Sequence, residues 1–223
     1  MNIKEQFGDW YPLLEDYLNS KEFNDIGKFL NERIKSFDNK VYPEKKDIFR
    51  AFRECPLDNL KVIILGNHPY CSNQANGLAY GIKDINNKTN SNYAIENHIE
   101  GSVYNGLNLM FDNSLVETAN QGVLWLNTQL TIETGDMSHK LIWEGFMNYL
   151  FNKLADTKVC IIYVFMEPET KYFADVINPH KVHFAIDPEK IENYGDNFNK
   201  INNMLIEVAK GLDVNPKNYI IKW

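Results

Sequence analysis

The sequence predicts an α/β protein of three layers, with helices on both sides of a central four-stranded parallel sheet. Three observations lead there. Four short apolar runs, KVIILG (Lys61–Gly66), GVLWLN (Gly122–Asn127), VCIIYV (Val159–Val164) and KVHFAI (Lys181–Ile186), have the length of strands. Their apolar residues are continuous rather than alternating, which is the pattern of strands covered on both faces. Helical stretches separate the runs, and alternating β and α elements build a parallel sheet.

The elements follow in chain order. Trp10, Leu13, Leu14 and Leu18 lie at helical spacing, and Phe23, Ile26, Leu30 and Ile34 form a second such set, so the first 40 residues read as helices. VYPEKKD is a turn. Asp47 is the expected N-cap of a helix over IFRAFREC, which ends before Pro56 because proline disfavours helical backbone in the residue before it. Further helices are expected at Tyr93–Leu109, His139–Leu154 and Glu169–Val176. The last covers Phe198–Lys210, with Gly211 as its cap. INNKTNSN, Ile85–Asn92, reads as a polar loop. No fixed-period repeat or Pro-rich linker breaks the chain, so residues 1–223 are expected to form one domain, with residues 1–40 as its N-terminal helices.

Composition narrows the classes. With 44% hydrophobic and 24% charged residues over 223 positions, the chain can bury a core without disulfides or a structural metal. Cys55, Cys71 and Cys160 are odd in number and form no CxxC pair. That argues against a disulfide framework and a zinc ribbon and favours a reducing compartment, the cytoplasm. No apolar run is long enough to span a membrane, and MNIKEQFGDW lacks the apolar stretch of a signal peptide. The 23 basic against 30 acidic residues, net −7, argue against a protein that coats nucleic acid by charge alone, and leave room for a local basic footprint. The 29 asparagines, and three arginines against twenty lysines, are the usage of an AT-rich coding genome, that of a small-genome bacterium or a phage.

In open parallel sheets, ligands bind beyond the carboxyl ends of the strands. After the first run comes GNHPYCSNQANGLAYG, a loop with glycines and a proline where a helix would otherwise start. It is no P-loop, because no GK[ST] follows. His68 is either a surface histidine or a catalytic one. Tyr70 and Tyr80 are either packing residues or a platform for a planar ligand. Asn127 closes the second run; it is either a turn former or an amide whose donor and acceptor read a pyrimidine edge. His183, inside the fourth run, is either a core histidine or a site residue. Cys71 reads as a buried thiol, and His139 as a helix-start residue with no part in chemistry.

Together these segments resemble uracil-DNA glycosylase. VYPEKKDIFRAFRECPLDNLKVIILG is similar to that family's approach to its first motif, and NQANGLAYG to its QAHGLAFS stretch. NQGVLWLNTQLTIETGDMSHKLIWEGF resembles its asparagine-bearing segment, and FNKINNMLIEVAKGLDVNPKNYIIKW its last helix. The resemblance covers Val41 to Trp223. It implies that Tyr70 blocks 5-methylpyrimidines, that Tyr80 stacks on a flipped base, that Asn127, with Asn67 beside it, reads the base, and that His183 stabilises charge on the base oxygen. It matches Ser91 to a serine that holds a DNA phosphate. No cofactor or metal is implied. DNA is the implied partner, weakly bound, with room for a protein partner and none for a membrane.

Two motifs depart from the family. Where it has Gly-Gln-Asp-Pro-Tyr-His, this chain has Gly66-Asn67-His68-Pro69-Tyr70-Cys71, so His68 replaces the carboxylate that activates water. Where it has His-Pro-Ser-Pro-Leu, this chain has His183-Phe184-Ala185-Ile186-Asp187-Pro188. The following stretch carries Glu189, Glu192 and Asp196 against Lys190, a poor surface for phosphates. Neutral imidazole accepts the proton of an attacking water, whereas a carboxylate also attracts the sugar cation. Three readings follow: a diverged glycosylase that still cleaves uracil or a modified pyrimidine, a catalytically inactive binding module on the same fold, and a hydrolase of a nucleotide or single-stranded substrate. The first is the reading preferred on the sequence.

Overall fold

The computed structural model describes residues 2–35, 40–103, 111–135, 137–156, 160–177, 183–185 and 196–223. Its strands are β1 (Val41–Tyr42), β2 (Val62–Gly66), β3 (Val123–Asn127), β4 (Ile132–Glu133), β5 (Met137–Ser138), β6 (Ile162–Phe165) and β7 (His183–Ala185). Its helices are α1 (Ile3–Phe7), α2 (Tyr11–Leu18), α3 (Lys21–Lys35), α4 (Arg50–Glu54), α5 (Asn90–Val103), α6 (Val116–Asn120), α7 (Lys140–Ala155) and α8 (Asp196–Gly211).

Four strands form one parallel sheet in the order β3-β2-β6-β7. The register sets Gly66 opposite Asn127, Leu65 opposite Phe165 and Tyr163 opposite His183. Every residue of β2, β3 and β6 is buried. Both faces of the sheet are therefore covered, which is why these runs show no polar alternation. Helices α2 and α3 pack on α7, and α5 packs on α8, to make the outer layers. One cluster of buried apolar side chains runs from Phe7 through Trp125 to Trp223. The Phe7 ring lies 4.6 Å from Phe49 and 5.0 Å from Phe52, tying the N-terminal helices to α4. Each buried phenylalanine of this kind is worth roughly 1.5–3 kcal/mol.

Several local expectations are corrected. Asp47 caps nothing: it ends a 3-10 turn, Lys45–Asp47, and its carboxylate pairs with Lys83 at 2.9 Å. Helix α4 starts at Arg50, with Phe49 at the cap position and no side-chain cap. Glu169–Val176 is no α-helix but part of a 3-10 helix, Pro168–Asp175. The third apolar run pairs further along than its sequence suggested, because its partners on β2 fix β6 at Ile162–Phe165. The polar loop ends early, since the Thr89 hydroxyl accepts from the Asn92 N–H at 3.1 Å and starts α5 at Asn90. Gly211 lies inside α8; the left-handed residue that closes the helix is Asp213 (φ 56°). Its N–H donates to the Lys210 carbonyl and that of Val214 to the Ala209 carbonyl, the paired bonds of a Schellman end. A second, antiparallel sheet, β1-β4-β5, has strands of two residues each, too short to show in any periodicity.

Candidate active site

The carboxyl ends of β2 and β3 stay joined past the strands. Thr128 N–H donates to the Gly66 carbonyl at 2.8 Å, and Gln129 N–H to the Asn67 carbonyl at 2.9 Å. The Thr128 hydroxyl also donates to the Asn67 carbonyl, and Gln129 Nε2 to Asn67 Oδ1 at 2.9 Å. The side-chain oxygen and the carbonyl of Asn67 are thus committed to β3's extension. Its backbone N–H donates to Glu167 Oε1 at 3.3 Å. The loop that follows folds back onto the sheet, where Ala79 N–H donates to the Trp125 carbonyl at 3.1 Å. Its turn passes Gly77, with φ +92°, and a Cβ there would lie 2.1 Å from the Asp47 carbonyl oxygen. Only glycine fits both the dihedral and the contact.

This return brings two side chains together over Gly66. A Cβ on Gly66 would stand 2.7 Å from Asn127 Oδ1, 3.1 Å from Ala79 Cβ and 3.3 Å from Tyr80 Cε2. The Asn127 amide and the Tyr80 ring therefore converge on one point at the carboxyl edge of the sheet. Asn127 is buried, as the last residue of β3. An aromatic ring beside an amide that both donates and accepts is the chemistry needed to hold a planar base.

Tyr80 pays for its position with a left-handed backbone, φ 64°. Two donors hold its carbonyl there: the Tyr70 hydroxyl at 3.2 Å and Asn92 Nδ2 at 3.1 Å. The Tyr80 hydroxyl donates to Glu167 Oε1 at 2.6 Å. Burial first, and then the Glu167 charge, push the Tyr80 phenol well above its ordinary pKa, so it is a donor at neutral pH. Burial likewise raises Tyr70 to about 12, while hydrogen bonds from Thr89 and Ser91 pull the other way and the nearby Glu167 adds to the rise.

The remaining sequence-predicted residues spread around this centre. His68 is exposed at the lip, and its Nδ1 lies 2.9 Å from the Pro69 carbonyl oxygen. A carbonyl only accepts, so Nδ1 carries a proton, and in the neutral form of the ring Nε2 is the acceptor. Ser91 is exposed in the first turn of α5, beside the Tyr70 phenol. His183 begins β7 next to β6; its backbone position is described and its side chain is not. Residues 186–195, with Ile186, Asp187, Glu189 and Glu192, lie outside the described residues.

Sequence reasoning looked to the segment FMEPE past the third apolar run but did not single out Glu167 within it, just beyond the carboxyl end of β6. It also missed a buried network that reaches the 66–71 loop. Arg33 holds the Glu133 carboxylate with two bonds of 2.5 Å. His139 Nε2 meets Glu133 Oε1 at 3.0 Å, and its Nδ1 meets the Thr131 hydroxyl at 2.8 Å. His139 does stand at the start of α7, but as a buried link to Glu133. The Cys71 thiol donates to the Glu133 carbonyl at 3.0 Å, and the Ser138 hydroxyl to Gln129 Oε1 at 2.7 Å, which connect this network to the 66–71 loop and to Asn67. Among the described residues no group of three or more His, Cys, Asp or Glu side chains is placed to hold a metal ion, and no helix is long and apolar enough to cross a membrane.

No family model matches the chain. Individual relatives do. It is 30% identical over 191 residues to the uracil-DNA glycosylase of Borreliella burgdorferi strain ZS7, covering 84% of both chains. It is 31% identical over 218 residues to that of Francisella philomiragia, covering 92% of this chain and 97% of that one. The chain belongs to the uracil-DNA glycosylase family. Its fold matches mimivirus uracil-DNA glycosylase with a TM-score of 0.79 at 19% identity, covering 99% of this chain and 90% of that one. The Nitratifractor salsuginis UNG follows with a TM-score of 0.63 at 15% identity, covering 89% and 93%. Within this glycosylase fold, the residues that stand beside each other are Asn127, Tyr80, Tyr70 and the Asn67 backbone. His68 stands outside that cluster at the exposed lip.

Proposed function

We propose that this protein is a DNA base-excision glycosylase that hydrolyses the N-glycosidic bond of uracil, or a related modified pyrimidine, in DNA, with attenuated or altered activity. The observation that carries this reading is the convergence of the Asn127 amide and the Tyr80 ring over Gly66. Membership of the glycosylase family supports it. In this reading the target base leaves the stack, lies on the Tyr80 ring and is read by Asn127, with Tyr70 as the wall and the Asn67 backbone at its edge. His183 stabilises the departing base oxygen, and His68 takes the proton of the attacking water through Nε2. Ser91 meets a backbone phosphate. The whole chain acts as one domain, a reading supported by the single buried cluster that spans it.

A net charge of −7 supports weak DNA binding, and the three free cysteines support a reducing cytoplasm, bacterial or in a phage-infected host. A second reading, a binding module on the glycosylase fold, is favoured by one observation: the carboxylate that would activate water is replaced by His68. Incubation with uracil-containing single- and double-stranded oligonucleotides, followed by measurement of abasic sites, separates the two. Excision supports the enzyme. Oligonucleotide binding without excision supports the module.

A further inference from the structure

We infer that Glu167 is an internal competitor for the base pocket: its carboxylate holds the donors that a bound base must take over. The inference rests on the base-pocket reading above. Glu167 Oε1 accepts from the Asn67 backbone N–H and from the Tyr80 hydroxyl at once. The first donor is a backbone group at the carboxyl end of β2, where the sheet edge faces the Asn127 side. The second belongs to the ring whose Cε2 edge converges with Asn127 over Gly66. A carboxylate oxygen there makes the contacts that an oxygen of an anionic, departing base would make, and charge-assisted bonds of this kind are stronger than neutral ones. A uracil oxygen seeking the same donors must displace a charge, and two anionic oxygens do not share one donor pair.

A scaffold role predicts the opposite. If Glu167 only braced the Tyr80 platform, removing it would loosen the ring and weaken base binding. The sign of the effect therefore decides between the two.

The probe is free uracil, titrated by calorimetry against the full-length protein and its Glu167→Gln and Glu167→Ala variants, with far-ultraviolet circular dichroism to confirm the fold of each. Glutamine keeps the acceptor without the charge; alanine removes both. The expected order of affinity is Ala above Gln above the parent, with alanine about tenfold tighter, the worth of one charge-assisted hydrogen bond released. The glutamine variant, nearly isosteric, carries the test by itself should the alanine variant not fold. Uracil binding by the parent with no gain, or a loss, in the variants overturns the inference and leaves the base pocket standing. No binding by any of the three overturns the pocket and the inference with it.

Discussion

Asn127 Oδ1 stands 2.7 Å from where a Cβ on Gly66 would sit, so the pocket amide occupies space that only a glycine leaves open. The two residues are partners in the β2–β3 register, and the contact is fixed by the sheet itself.

Gly66→Ala should therefore empty the pocket without unfolding the sheet. The added methyl meets Asn127, Ala79 and Tyr80 together, and overpacking of this kind costs roughly 1–3 kcal/mol. The expected result is loss of uracil binding with a lower but still cooperative thermal transition, read by calorimetry and circular dichroism. Unchanged uracil affinity would place the base elsewhere.

Tyr80→Ala and Tyr80→Phe should part company. Alanine removes the stacking platform, worth about 1–3 kcal/mol per base, and affinity should fall at least tenfold. Phenylalanine keeps the ring but removes a hydroxyl donor that a bound base must take over from Glu167, so affinity should fall less than with alanine. A fall with phenylalanine as deep as with alanine would mean that the hydroxyl, not the ring, is what matters.

His68→Asp should increase uracil excision by roughly 100- to 1000-fold, the worth of one electrostatic group beside a forming cation. His68→Ala should leave little activity, because the Nε2 acceptor is gone. Abasic-site formation over time measures both. If the aspartate variant gains nothing, the water-activating half of the site is not repaired by one residue. Intact-mass spectrometry then asks whether the parent's imidazole attacks the sugar carbon and holds it as an adduct.

Acid should act first on the buried network that reaches the 66–71 loop. Hydrogen bonds from Arg33, and after burial's opposing effect those from His139, hold the Glu133 carboxyl below its usual range. A depressed folded-state pKa gives stability that is present above the ordinary carboxylate value and is lost as pH falls through the lower folded one. The parent's melting temperature should thus drop more steeply below about pH 4.3 than that of Glu133→Gln. At neutral pH Arg33→Met, which leaves the buried Glu133 carboxylate without its main partner, should lower the melting temperature.

Binding to duplex DNA should be weak and should weaken further with salt. Phosphate contacts release counterions, and with net charge −7 few of them oppose the protein's own repulsion. A titration at several salt concentrations checks it; tight binding that ignores salt would contradict it.

The apolar runs at 62–65 and 123–126 determined a buried parallel sheet by themselves, because a strand covered on both faces has no solvent side to make polar. From the sheet followed its carboxyl edge, and from that edge the neighbourhood of Tyr70, Tyr80 and Asn127. What the pattern did not carry are the contacts made across long stretches of chain. Glu167 reaches Tyr80 across 87 residues and Asn67 across 100; Arg33 reaches Glu133 across 100. Local periodicity reports only which face of an element is dry. It also favoured Gly211 and Asp47 as caps on intrinsic preference, where Asp213 takes the left-handed position and Asp47 pairs with Lys83 instead. Which donors in the pocket are free, and which a carboxylate already holds, is decided by how the ends of β2 and β6 meet, because a hydrogen bond depends on distance and direction rather than on order along the chain.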